Sequence, residues 1–150
     1  MSLDLFQNLA WLPECPADFS RQVKESTARD AQTGMVLKHL AGHSLNELQL
    51  NKLARAVERS RADGRDLAPL DPLRIAVVSN ATTEFLAPVL VGTGLRYGFA
   101  SEVHAAPYGQ IIQELLDPGS SLYAFKPDLI LVAIAYRGLP LDAEVGASGE

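Results

Sequence analysis

Two short aliphatic runs constrain this chain more than any other feature: Leu73-Arg74-Ile75-Ala76-Val77-Val78 after Pro72, and Leu129-Ile130-Leu131-Val132-Ala133-Ile134 after Pro127-Asp128. Runs of this length, rich in β-branched residues and with little polar alternation, are the pattern of parallel strands covered on both faces. After the first run, Thr82 or Thr83 can cap a helix carrying Phe85, Leu86, Val89 and Leu90, with Gly98 placed to stop it. Ser101 to Ala105 then reads as a second strand, less apolar and so nearer a sheet edge. Gln110 to Leu116 reads as a second helix and Asp117-Pro118-Gly119-Ser120 as a turn, which leads to a third strand expected to be strongly buried. The order is βαβαβ.

The first third of the chain is expected to be helical. Asp18 can cap a short helix through Phe19, Val23 and Lys24, and a second apolar cluster at Met35, Val36, Leu37 and Leu40 is broken by Gly42. Ser44-Leu45-Asn46-Glu47 has the spacing of a capping box and opens a long helix ended by Asp63-Gly64. Its apolar face is expected to hold Leu45, Leu48, Leu53, Ala54 and Val57, with Lys52, Arg55, Glu58 and Arg59 elsewhere. The fold class is therefore α/β: a helical segment over 1–70, then a partial flavodoxin-like or SGNH-like three-layer parallel sheet over 71–150. A three-stranded sheet leaves an apolar edge on strand three, and the tail after Gly138 has no further strand pattern, so the sheet reads as unfinished. Its missing strands are expected from downstream sequence, from a second copy of the chain, or not at all.

Composition excludes several functions. The formal charge of -5 argues against nucleic acid or anionic lipid as the main partner. The arginines 55, 59, 61 and 65 are interspersed with acids and lack aromatic company, as on a solvated helix face. No stretch reaches the roughly 20 apolar residues that span a bilayer, so a cytoplasmic, membrane-free protein is expected. Cys15, the single cysteine, lies between Glu14 and Pro16 with nothing to lower its pKa and reads as an inert thiol. His39 and His43 flank a helix break without a third ligand, so no metal site is expected. Gly92, Gly94 and Gly98 have the wrong spacing for a dinucleotide fingerprint, and no phosphate-loop or HExxH motif occurs.

In an open parallel sheet, ligands bind beyond the carboxyl ends of the strands. Three loops are expected to meet there: Ser79-Asn80-Ala81-Thr82-Thr83, Ala106-Pro107-Tyr108-Gly109-Gln110 and Ala135-Tyr136-Arg137-Gly138. Ser79, Asn80, Thr82 and Thr83 stand at a helix start, where free N–H groups favour a phosphate or carboxylate. Capping alone also accounts for the two threonines. Tyr108, Gln110 and Arg137 complete the candidate ligand-binding set, and no residue is assigned a catalytic role.

The series from Leu73 through Ser79-Asn80-Ala81-Thr82-Thr83-Glu84-Phe85-Leu86, with Pro107-Tyr108-Gly109-Gln110, Gln113-Glu114-Leu115-Leu116-Asp117-Pro118 and Leu122-Tyr123-Ala124-Phe125-Lys126-Pro127-Asp128, resembles the N-terminal region of FkbH-like proteins. With the Leu45–Val57 helix the resemblance runs from about Met35 to Pro140. It implies an SGNH-hydrolase-like domain followed by a phosphatase-type domain of the haloacid dehalogenase (HAD) superfamily, subfamily IIIC. Such proteins load a glyceryl unit from 1,3-bisphosphoglycerate onto an acyl carrier protein for polyketide extender units. The magnesium-binding DxDx[TV] motif of that chemistry does not occur in these residues, so no cofactor is expected in this chain and magnesium only in the HAD domain.

SGNH esterases read Gly-Asp-Ser-x-Thr in the first loop, and here the nucleophile position is Ala81. Of the family's Asp-x-Arg pattern after strand three only Arg137 remains. The resemblance thus implies a non-catalytic module that docks the carrier protein or packs against the HAD domain. An SGNH-type ester hydrolase and a small dimerising scaffold are the alternatives.

Overall fold

The computed structural model describes residues 11–28 and 32–135. Three helices come first: α1 (Phe19–Ser26), α2 (Thr33–Ala41) and α3 (Glu47–Ala62). Then follow β1 (Asp71–Ser79), α4 (Leu86–Arg96), β2 (Phe99–Ala105), α5 (Ile111–Leu116), α6 (Ser121–Phe125) and β3 (Leu129–Ala133). The three strands form one parallel sheet in the order β2-β1-β3, with Asp71 opposite Phe99 and Ile75 opposite Leu129. The expected α/β class and βαβαβ order hold, and β2 is at an edge as its composition suggested.

Residues of opposite parity on β1 serve opposite faces of the sheet. Ala76 and Val78 pack with Leu122 of α6, alongside Ile111, Leu115 and Phe125. On the other side, Val91 and Leu95 of α4 and Ala100 of β2 share one core with Phe19, Val23, Leu37, Leu40, Leu53 and Val57 of the N-terminal helices. Close approach is built from glycine there. A Cβ on Gly34 of α2 would stand 2.0 Å from the Leu67 carbonyl oxygen, and one on Gly92 of α4 would meet Leu50 Cδ2 at 2.8 Å and Leu50 Cα at 3.2 Å. Arg96 links α4 to the end of α2, donating through Nε to Ala41 O at 2.8 Å and through Nη2 to His43 O at 3.2 Å.

Several local expectations are corrected. The capping box of α3 belongs to Asn46 and Gln49, not Ser44 and Glu47: Gln49 N donates to Asn46 Oδ1 at 3.0 Å, and Asn46 N to Gln49 Oε1 at 2.8 Å. Ser44 is instead held in a bridge, its N–H donating to Pro13 O at 2.8 Å. The two-residue shift turns Leu48 out to solvent, and the buried stripe becomes Leu50, Leu53, Ala54 and Val57, which keeps helical spacing. Asp18 precedes α1 but its carboxylate accepts from the Arg21 and Gln22 side chains rather than from the backbone. Gly64 and Gly98, with φ of 66° and 89°, end α3 and α4 as expected.

Helix α6 lies where the sequence suggested only a connection. A buried carboxylate organises it: Glu114 Oε2 accepts from Ser121 Oγ and from Leu122 N, both at 2.9 Å.

The third strand departs most from expectation. It was expected to be strongly buried, yet Leu129 is 52% exposed and Val132 45%. Among the described residues the strand pairs with β1 alone, and neither buried cluster includes a residue of β3. An aliphatic run records that burial is needed without saying which segment supplies the cover.

Candidate functional site

At the carboxyl end of the sheet the chain leaves β1 at Ser79 and reaches α4 at Leu86. Ser79 is buried and its hydroxyl is engaged twice, donating to Ala133 O at 2.7 Å and accepting from Ala81 N at 2.9 Å. Its carbonyl oxygen accepts from Gly109 N at 3.1 Å. Asn80 Oδ1 accepts from Ala135 N at 2.7 Å. These two side chains therefore fasten the first loop to the end of β3 and close the sheet's β1–β3 side.

On the β1–β2 side the loops diverge around a cleft of about 450 Å³ lined by Thr82, Thr83, Glu84 and Tyr108 above Ser79 and Ala106. Neither threonine caps α4. Its N-cap residue is Phe85, without a side-chain hydrogen bond, and Leu86 N donates to the Thr83 carbonyl at 2.9 Å. Phe85 itself is exposed, so the helix's buried face is Val91, Gly92 and Leu95 rather than Phe85 and Leu86. Tyr108 is likewise exposed at the rim. Gln110 is the N-cap of α5 and is not part of the cleft lining. Arg137 lies outside the described residues.

The structure thus brings Ser79, Thr82, Thr83 and Tyr108 to one cleft, sets Asn80 against β3 and leaves Gln110 to one side. Glu84, which the sequence reading passed over, is the one charged group in the lining among the described residues. Its only sequence signal was adjacency to Thr83. A carboxylate there opposes an incoming anion and favours a hydroxyl-rich or cationic group.

Ala81 supplies an amide N–H and no nucleophile, and among the described residues both hydrogen bonds of the Ser79 hydroxyl go to backbone rather than to a base. Cys15 lies far along the chain in the helical segment. Burial pushes its thiol above the ordinary value, and its sulfur accepts from Gln49 Nε2 at 2.9 Å. His39 and His43 meet edge to face at 5.3 Å, and among the described residues no group of His, Cys, Asp and Glu is arranged to hold a metal ion. No helix among the described residues is long and apolar enough to cross a membrane.

Comparison with known proteins places these loops in a family context. Residues 74–139 match the family described as FkbH, N-terminal domain. The matched segment contains β1 from Arg74 onward, the elements from α4 to β3 and the whole cleft lining, while α1, α2 and α3 precede it. Among solved structures, the chain is similar to the N-terminal part of the protein BF1531 from Bacteroides fragilis, described as containing a phosphatase domain complexed with Mg. The two are 25% identical with a TM-score of 0.49, over 62% of this chain and 22% of that one, so this chain spans less than a quarter of that structure's length. No curated protein matches.

Proposed function

We propose that this chain, whose residues 74–139 match the FkbH N-terminal domain, is a non-catalytic N-terminal module of an FkbH-like protein. The whole protein would load a glyceryl unit from 1,3-bisphosphoglycerate onto an acyl carrier protein, with the chemistry and its magnesium in a phosphatase-type domain of the HAD superfamily. The module would dock the carrier protein or pack against that domain. The observation that carries the non-catalytic reading is the position of Ser79, whose hydroxyl is held between Ala133 O and Ala81 N while Ala81 occupies the esterase nucleophile position.

The open side of β3 supports a packing role. Leu129, Ile130 and Val132 form an exposed aliphatic edge, and such an edge in a native protein is ordinarily covered or blunted. Further strands of the same polypeptide would cover it.

An ester-turnover assay on the whole chain, with Ser79→Ala and Thr82→Ala variants, tests the reading. Turnover at the level of uncatalysed hydrolysis in all three proteins is expected. Turnover lost in either variant would make the chain an SGNH-type hydrolase instead. The intact mass of the natural protein provides the second test: a product ending at Glu150 would remove the link to a catalytic domain and leave the dimerising scaffold.

A further inference from the structure

A cavity of about 490 Å³ opens beside β2, between α3 and the start of α4. Asn51, Arg55 and Glu58 line it from α3, Glu84 from the loop before α4, and Ser101 from β2. Glu84 also lines the cleft at the strand ends, so the two spaces meet at its side chain. The volume suits a small molecule, since such sites hold about 300–1,000 Å³ whereas one water takes roughly 30 Å³.

Ser101 marks the inner wall. It is 1% exposed, and its hydroxyl has no hydrogen-bond partner among the described residues. Of the three buried side-chain atoms in that condition, only Ser101 Oγ belongs to the lining of this cavity. Gly94 of α4 leaves it room: a Cβ there would stand 2.7 Å from Ser101 Oγ. Arg61 holds the backbone at this point, donating through Nη1 to Ser101 O at 3.1 Å and through Nη2 to Ala100 O. A buried hydroxyl is ordinarily paired with protein, water or ligand, and the described residues supply it no protein partner.

The rest of the lining decides what chemistry fits. Arg55, Glu58 and Glu84 are exposed, and none belongs to an ion pair among the described residues. Asn51 spends one N–H on Glu47 O at 2.9 Å, which leaves its oxygen and a second N–H. Glu102, also in the lining, lies 3.9 Å from Arg74. The free groups are therefore two carboxylates that only accept, a guanidinium that only donates, and an amide and a hydroxyl that do both. An anion would meet both carboxylates, and an amine would leave the guanidinium without an acceptor. A ligand hydroxyl donates and accepts, so several on one small framework match the whole set.

We propose that this cavity binds an uncharged, polyhydroxylated molecule of monosaccharide size, with one ligand hydroxyl on Ser101 Oγ and others between Glu58, Glu84 and Arg55. The inference stands apart from the docking role proposed above, because binding a sugar needs neither a carrier protein nor a further domain.

The experiment titrates the whole isotope-labelled chain with D-glucose, D-galactose, D-mannose and myo-inositol and follows its amide NMR signals. Saturable shifts at Ser101 and Glu84 are expected with at least one of these probes, little changed by salt because the ligand carries no charge. Ser101→Ala should lower affinity about threefold to tenfold, the loss of one hydrogen bond. Its thermal stability should be equal or higher, since an unpaired hydroxyl is removed. Glu84→Ala, at an exposed position, should weaken binding, and Glu84→Gln, which keeps an acceptor, should weaken it less.

No saturable shift from any of the probes would overturn the proposal. So would a Ser101→Ala variant that loses stability and keeps its affinity, which would assign the hydroxyl to bound water alone. Tighter binding of putrescine or of malate, abolished by salt, would make the cavity a charge site and reject the polyol reading.

Discussion

Ser79 Oγ lies 2.7 Å from the carbonyl oxygen of Ala133, so the last residues of β1 and β3 are joined by a side chain as well as by the sheet ladder. The same oxygen accepts from Ala81 N. Removing it leaves a donor and an acceptor without their partner in a buried setting, at a cost of about 1–3 kcal/mol. Ser79→Ala is therefore expected to lower the unfolding free energy obtained from urea denaturation by an amount in that range. Because Asn80 fastens the adjacent Ala135, Asn80→Ala should be non-additive with it, as a double-mutant cycle in urea would reveal.

Gly34 tolerates no side chain. A methyl there would stand 2.0 Å from Leu67 O and 2.6 Å from Ala68 O, both backbone atoms that cannot swing aside. Gly34→Ala should destabilise by about 3 kcal/mol or more, despite the roughly 1 kcal/mol that alanine contributes to helix propensity. Gly42→Ala, whose nearest added contact is 3.1 Å, should cost less in the same thermal-denaturation series.

Glu114 should respond to the chemistry of its replacement. Glutamine keeps an oxygen for Leu122 N and Ser121 Oγ, whereas alanine leaves the buried Leu122 amide unpaired. Glu114→Ala is expected to cost about 1–3 kcal/mol and Glu114→Gln less. Hydrogen exchange at Leu122 supplies the local readout: faster exchange in the alanine variant alone identifies Glu114 as the organiser of α6.

Asp18 should titrate below the ordinary carboxylate range, because the Arg21 side chain, and then Gln22, donate hydrogen bonds to its charged form. A depressed folded pKa stabilises the fold above the ordinary carboxylate value, and that contribution disappears as pH falls through the lowered one. Arg21→Ala should move the Asp18 carboxyl back up in an NMR titration. An unchanged titration would mean that Arg21 does not hold Asp18 in solution.

The exposed β3 edge makes the isolated chain prone to edge-to-edge pairing. Sedimentation should reveal concentration-dependent association, reduced by Ile130→Lys. Retention of association in that variant would place the contact elsewhere.

Much of the architecture was legible in local chemistry. The aliphatic runs at Leu73 and Leu129 specified strands because side chains of that type and spacing suit a pleated, covered surface. Gly64 and Gly98 marked helix ends because positive φ costs glycine little. The family resemblance likewise lay in residues read directly from the chain, and the match over 74–139 accords with it.

What the sequence could not decide depended on which groups meet across long separations. Ser79 is an ordinary hydroxyl until Ala133 arrives beside it, and Glu114 an ordinary surface acid until α6 folds onto it. Asn46 and Ser44 compete for the same capping role, and the bridge between Glu14 and Ser44 accompanies the choice of Asn46. The apolar character of β3 was determined by the sequence alone. Its exposure was decided by the tertiary structure, because burial depends on which elements reach a strand, and among the described residues only β1 pairs with it.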